Sequence, residues 1–273
     1  MLTMVEVRSP QGGLLSLPLE DPSSGVFVKE TGGLDPVKAT LVSSSFAGED
    51  GEQYHSSHRE ARDVTLKLGI EPDLAVTTVR ALRAQLYNFF MPKTAVNLRF
   101  YFADGLEVDI NGRVEVCEAP HATQEPEMDV SIHCFKPDFR ELVETTFEGE
   151  TTSDTTELTI NYTGSVETGI LFTLFPDREL SEFTIYHTPP DGTLRTLDFV
   201  APLAADDILE ISTVKGAKGA TVTTGSSTSP VLYGISPFAN WIELQPGANK
   251  VRVYAVGDPI PFNMKYVVKH GGL

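Results

Sequence analysis

Apolar and β-branched residues alternate with polar ones along most of this chain, in runs of four to seven residues. Gly, Pro, Asn, Asp and Ser bound these runs, which is the pattern of half-buried strands. In the first half the runs cover 14–19, 25–29, 39–44, 64–68, 96–102, 106–110, 113–117 and 128–134. Turn residues separate them at Pro22-Ser23-Ser24-Gly25, Thr31-Gly32-Gly33, Asp104-Gly105 and Asn111-Gly112. Asp104-Gly105 predicts a tight type I′ hairpin, because Asp and Gly readily adopt positive φ. One segment departs from this period. Leu74, Thr78, Leu82, Leu86 and Phe89 recur at helical spacing, with Val79 and Phe90 widening the stripe. Pro72 and Asp73 suit a helix start and Pro92 a stop, so a helix is predicted over 73–90.

A Thr-rich polar stretch at 144–156 has no apolar periodicity and reads as a linker or exposed loop between domains. Beyond it only strand signals occur, at 157–162, 170–175, 182–187, 194–199, 208–212, 220–223, 241–244, 250–255 and 266–269. Short strands at that spacing predict an all-β sandwich, with Gly225-Ser226-Ser227-Thr228-Ser229 as a mobile loop within it. The expected organisation is mainly β: a β domain over 1–142 carrying the helix 73–90, a linker over 143–156, and a β-sandwich over 157–273. The halves share no internal repeat.

Composition narrows the function classes. With 41% hydrophobic and 22% charged residues, the 273-residue chain is a folded globular protein. Its net charge of −17 argues against affinity for nucleic acid or an anionic membrane, which need clustered Lys and Arg. The start, Met1-Leu2-Thr3-Met4-Val5-Glu6-Val7-Arg8, lacks a signal-peptide pattern, and no apolar run is long enough to span a bilayer. Synthesis and folding in a cytoplasm are therefore expected. Two cysteines are too few for a structural zinc site. Pairing around a turn near 118–126 would set Cys117 opposite about Met128 rather than Cys134, so a disulfide is not implied.

Candidate chemistry is sparse. His55-Ser56-Ser57-His58 offers two imidazoles in a polar loop (43–57) but no third ligand at a recognisable spacing. His133-Cys134 with His121 fails because strand neighbours point to opposite faces. Glu125, Glu127, Asp129 and Asp206-Asp207 supply carboxylates without showing a pair across a cleft, as a glycosidase requires. Nucleophile elbows, phosphate loops and dinucleotide fingerprints are absent from the sequence. Neither an enzymatic activity, a cofactor nor a metal is expected. Trp241, the only tryptophan, is the single candidate for ligand contact, as a sugar-stacking platform supported by Tyr186, Tyr233 and Tyr254. The alternation of Trp241-Ile242-Glu243-Leu244 instead predicts Trp241 in phase with the core.

Several phrases in linear order resemble the distal tail protein family of siphophages. The first is Asp50-Gly51-Glu52-Gln53-Tyr54-His55-Ser56-Ser57-His58-Arg59-Glu60-Ala61-Arg62-Asp63-Val64-Thr65-Leu66, similar to the family's loop leading into a strand, with an arginine just before the alternating residues. The helix exit Leu86-Tyr87-Asn88-Phe89-Phe90-Met91-Pro92-Lys93 follows. Asn111-Gly112-Arg113-Val114-Glu115 and Val130-Ser131-Ile132-His133-Cys134-Phe135-Lys136-Pro137-Asp138-Phe139 resemble the strands closing the family's first domain. Asn161-Tyr162-Thr163-Gly164-Ser165 is like its small-residue turn, with Ser165 where the family usually has Asn. Trp241-Ile242-Glu243-Leu244-Gln245-Pro246-Gly247-Ala248-Asn249 is like its late hairpin.

The resemblance implies a first domain that closes a homo-hexameric ring and a galectin-like or carbohydrate-module-like second domain projecting outward. It also implies a place in the virion, at the phage tail tip. There the ring joins the tail tube protein to the tail-tip hub and receptor-binding proteins. DNA would pass through without specific binding: a hexamer carries six times −17, roughly −100 formal charges, and offers no basic surface for counterion release. No membrane partner is implied, and a host glycan is the candidate ligand. Two other classes stay open, a carbohydrate-binding module protein and a cell-wall polysaccharide enzyme.

Overall fold

The computed structural model describes every residue except Glu49 and Ala122. Those two, one in the loop expected at 43–57 and one in the turn expected at 118–126, lie outside the described residues. The chain is mainly β, 53% strand and 7% helical, and divides into two compact units, Met1–Leu142 with His270–Leu273, and Val143–Lys269.

The first unit holds β1 (Leu2–Arg8), β2 (Leu14–Pro18), β3 (Val26–Gly32), β4 (Ala39–Ser44), β5 (Gln53–Arg59), β6 (Arg62–Ile70), α1 (Val79–Phe90), β7 (Ala95–Phe102), β8 (Glu107–Glu118), β9 (Glu127–Cys134) and the start of β10 (Phe139–Glu150). Antiparallel pairing runs β2-β1-β7-β8-β9-β6-β3. The sheet curls until its end strands meet at a bridge between Leu19 and Val28. Alternate residues point inward, so Val5, Val7, Leu17, Val28, Leu66, Leu68, Leu98, Phe100, Val108 and Ile132 form one buried core. Leu86 and Phe90 of α1 enter the same core.

The helix is shorter than its periodicity predicts. Thr78 caps it, its hydroxyl accepting from the Ala81 N–H at 3.2 Å. Asp73 instead closes a separate turn: its carboxylate accepts from the Ala75 N–H at 3.0 Å, and its carbonyl from Val76 and Thr77. That local bonding competes with helix, and leaves Leu74 79% exposed. The predicted turn at Asn111-Gly112 is the middle of β8, because Gly112 serves close packing: a Cβ there would stand 2.6 Å from Ile132 Cγ2 and 2.8 Å from Cys134 Sγ. The hairpin at Asp104-Gly105 has a three-residue loop, with only Gly105 at positive φ (+88°) and Phe102 N–H bonded to the Leu106 carbonyl at 3.0 Å. This is a type I turn followed by a G1 bulge, in place of type I′. Cys117 lies opposite Val130, and a bulge between Val114 and Val116 accounts for one residue of that shift.

The second unit holds the rest of β10, then β11 (Leu158–Tyr162), β12 (Thr168–Gly169), β13 (Leu171–Leu174), β14 (Phe183–Thr188), β15 (Arg195–Phe199), β16 (Ile208–Ser212), β17 (Gly219–Thr224), β18 (Ser227–Pro230), β19 (Glu243–Leu244), β20 (Gly247–Tyr254) and β21 (Pro261–His270, its last residue in the first unit). Two layers, β18-β17-β16-β13-β21 and β11-β20-β14-β15, enclose one core. Phe172 of the first layer meets Phe183 of the second at 5.8 Å between ring centroids, with Phe262 5.5 Å from Phe172 and Phe199 5.3 Å from Phe183 in their own layers. Gly164 is required beside this core's edge. Tyr162 Oη donates to the Val166 carbonyl at 2.8 Å, and a Cβ on Gly164 would stand 2.2 Å from that hydroxyl.

Two loop expectations change. The stretch expected as a linker is strand through Glu150, where Phe147 packs partly against the core and Gly149 sits against Phe262. Val143, Glu144, Thr145 and Thr146 are exposed in succession, which hides the strand from a search for alternating apolar runs. Residues 225–229 are a two-residue turn plus β18, with Thr224 opposite Ser227.

Candidate interaction surfaces

In the first unit β4 and β5 pair with each other and form a separate two-stranded arm. Its side chains pack against little: Leu41 is 66% and Phe46 55% exposed, and Val42 and Tyr54 are also exposed. Four such apolar groups on one hairpin, with two open strand edges, are an adhesive element. The arm's base is anchored. Arg59 forks onto the Asp138 carboxylate, and Arg62, 2% exposed, reaches four backbone carbonyls: Pro137, Gly33, Asp35 and Gly271. The Arg62 guanidinium also lies 4.3 Å from the Phe139 ring centroid. Burial pushes its pKa down, opposed by the Asp138 carboxylate.

The sequence candidates separate. His55 is the extra residue of a bulge in β5, its Nε2 2.7 Å from Ser44 Oγ, and His58 lies opposite Thr40. His121 pairs with Arg83 at 3.1 Å and is not part of a set with His133. Burial pushes the Cys134 thiol up to about 12 and raises that of Cys117, so both resist ionisation. Glu125 and Glu127 both take Lys29, at 3.4 and 2.8 Å, and Glu127 also takes Lys67 at 3.1 Å. These hydrogen bonds hold the Glu127 carboxyl below the usual range. Asp207 is buried and accepts from the Ala204 N–H and the Thr224 hydroxyl, a structural role.

In the second unit Ile242 and Leu244 are the fully buried members of their run, so the phase is opposite to the one expected for Trp241. Trp241 is half-buried at the core's edge, with Lys218 Nζ 5.2 Å from its ring centroid. Tyr186 and Tyr254 share the outer face of β14 and β20, where Arg252 lies 4.1 Å over the Tyr186 ring. Tyr233 is 79% exposed in a 3-10 turn at Leu232–Gly234. The arm strand β5 and the first strand β1 escaped the sequence reading, though Val5 and Val7 alternate as β1 requires.

Comparison with known proteins places the fold. No family model matches this sequence, and no curated protein matches it. Among solved structures, the SPP1 Dit protein aligns with 97% of this chain and 98% of its own at TM-score 0.70 and 15% identity. That protein's crystal structure is described as a paradigm of the hub adsorption apparatus of phages infecting Gram-positive bacteria. Chains of the phage P2 baseplate in its activated conformation, with Ca or Sr, align at TM-scores 0.49 and 0.47 and 9% identity, too distantly to carry an argument. The chain has the fold of SPP1 Dit along nearly its whole length.

Proposed function

We propose that this chain is a distal tail protein of a siphophage, a non-enzymatic virion component that forms a homo-hexameric ring at the tail tip. The ring joins the tail tube to the tail-tip hub and the receptor-binding proteins. The first unit, corresponding to residues 1–142, forms the ring. The observation that carries this reading is the alignment of both units at once with a hub protein of the adsorption apparatus, at TM-score 0.70 over 97% of the chain. The arm supports it from physics. A ring needs two different surfaces on each subunit, one meeting the other on the next copy. An anchored hairpin with exposed Leu41, Val42, Phe46 and Tyr54 supplies one of them. The charge of −17 suits a channel that DNA must pass without sticking.

Light scattering on the full chain tests this, with six times the monomer mass expected at micromolar concentration. Leu41→Asp should lower that mass while leaving the fold within about 0.5 kcal/mol, as expected of an exposed position. A chain that stays monomeric at every concentration, alone and with its tail tube protein, refutes the ring. The second reading, adhesion to a host glycan, rests on Tyr186, Arg252 and Tyr254 sharing one outer face. Glycan-array binding lost on Tyr186→Ala would favour it.

A further inference from the structure

We propose that Asp63, Glu115 and His133 form a binding site for a divalent transition metal of the zinc class on the outer face of the first unit. Three adjacent strands deliver the three side chains. Asp63 on β6 and His133 on β9 are directly opposite in the ladder. On the other side of β9, β8 carries the bulge between Val114 and Val116, and Glu115 is its extra residue. Alternation from the buried Val114 turns Glu115 to this outer face, and the bulge leaves it without a ladder partner between Val114 and Val116. The result is one imidazole nitrogen and two carboxylate oxygens, all within 4.8 Å of one another. Among the described residues this is the one such set of three His, Cys, Asp or Glu side chains.

The set is chemically coherent. His133 Nδ1 stands 2.6 Å from Asp63 Oδ1, and the ring is held edge-on by Phe135 at 4.7 Å between centroids. Two carboxylates and an imidazole leave an excess of negative charge. Glu115 has no ion pair among the described residues. Arg113, opposite His133 in the ladder, gives a guanidinium N–H to the Lys93 carbonyl at 3.0 Å. Zinc-class ions take N and O ligands at about 2.0–2.2 Å, which sets ligand atoms roughly 3.3 Å apart. Asp63 already lies against His133, and the exposed Glu115 side chain closes the remaining gap. Ca²⁺ and Mg²⁺ are disfavoured, since they prefer sites built from oxygens. Three protein ligands leave a coordination position open to water or to a group from a neighbouring molecule.

Sequence spacing could not reveal this set, because its members are distant in the chain and only the register joins them. The test is titration of metal-stripped full-length protein with Zn²⁺ by calorimetry, and with Co²⁺ by visible absorption. One saturable equivalent per chain is expected, weakened roughly tenfold or more by Glu115→Gln and by His133→Ala. His55→Ala with His58→Ala should leave it unchanged. Zn²⁺ should also raise the unfolding temperature of the parent and not of Glu115→Gln. Failure to saturate by roughly 1 mM, or binding that follows His55 and His58 instead, overturns the proposal.

Discussion

Replacing Arg62 is the sharpest perturbation of the first unit. Its guanidinium donates from Nε to the Pro137 carbonyl at 2.8 Å, from Nη1 to those of Gly33 and Asp35, the latter at 2.7 Å, and from Nη2 to that of Gly271. One side chain thus ties together the turn after β3, the turn before β10 and the C-terminal tail, whose Leu273 N–H also reaches the Leu34 carbonyl at 3.0 Å. Arg62→Met keeps much of the packing against Phe139 and removes every donor. Each charge-assisted bond contributes about 1.5–3 kcal/mol, and stranded carbonyls cost about 1–3 kcal/mol each. Against that stands the relief from burying a cation, the same desolvation that lowers the Arg62 pKa. The balance is a loss of about 4 kcal/mol, a fall of about 8–16 °C in the unfolding temperature of a unit this size. Arg62→Lys should lose at least half as much, because a point charge cannot reproduce a planar fork.

The assay has a built-in control. Trp241 is the only tryptophan and belongs to the second unit, so its fluorescence follows that unit's unfolding. Far-UV circular dichroism follows both units. Denaturation of Arg62→Met should shift the dichroism transition far more than the fluorescence transition. Deleting 271–273 removes the Gly271 acceptor. In a double-mutant cycle with Arg62→Met it should show coupling of about 1 kcal/mol. A destabilisation by Arg62→Met below about 1 kcal/mol would refute the reasoning, since the carbonyls would then have found other partners at little cost.

Two further outcomes follow from single sites. His187 is fully buried, its Nε2–H donating to Asn249 Oδ1 at 3.0 Å while Nδ1 has no partner among the described residues, and burial lowers its pKa. The folded state therefore takes up this proton less readily than the unfolded one. The stabilising contribution is complete above the unfolded value near 6.5 and lost as pH falls toward the lowered folded value. The midpoint followed by Trp241 fluorescence should drop on acidification below that point, and His187→Gln should remove that component. Gly112→Val, which would drive a side chain into Ile132 and Cys134, should destabilise the first unit by about 2–3 kcal/mol in guanidinium denaturation; a neutral result would mean β8 can shift off β9.

What the sequence revealed and hid follows from the range of the forces involved. Inward-facing positions were legible wherever Val, Leu, Ile and Phe alternate over five or more residues, as in β6 and β9, because alternation is local. The arm strand β5, Gln-Tyr-His-Ser-Ser-His-Arg, buries no side chain fully and so has no apolar face to read; only its pairing with β4 makes it a strand. β10 was hidden for a related reason, since its outward Thr and Glu residues mask Phe147 and the close approach of Gly149. Asn111-Gly112 misled in the opposite direction. Glycine signals both a turn and a tight approach between strands, and only Ile132 and Cys134, twenty residues further on, decide between them. Arg59 at the end of β5 and Arg62 at the start of β6 were visible as part of a family-like phrase, but their division of labour depends on distant partners. Arg59 meets a carboxylate and Arg62 meets carbonyls, including one supplied by the last residues of the chain. Asp63, beside them, points outward to His133. Three consecutive functions within five residues, an ion pair at the arm's base, a buried clamp and a candidate ligand, are therefore assigned by register rather than by residue type.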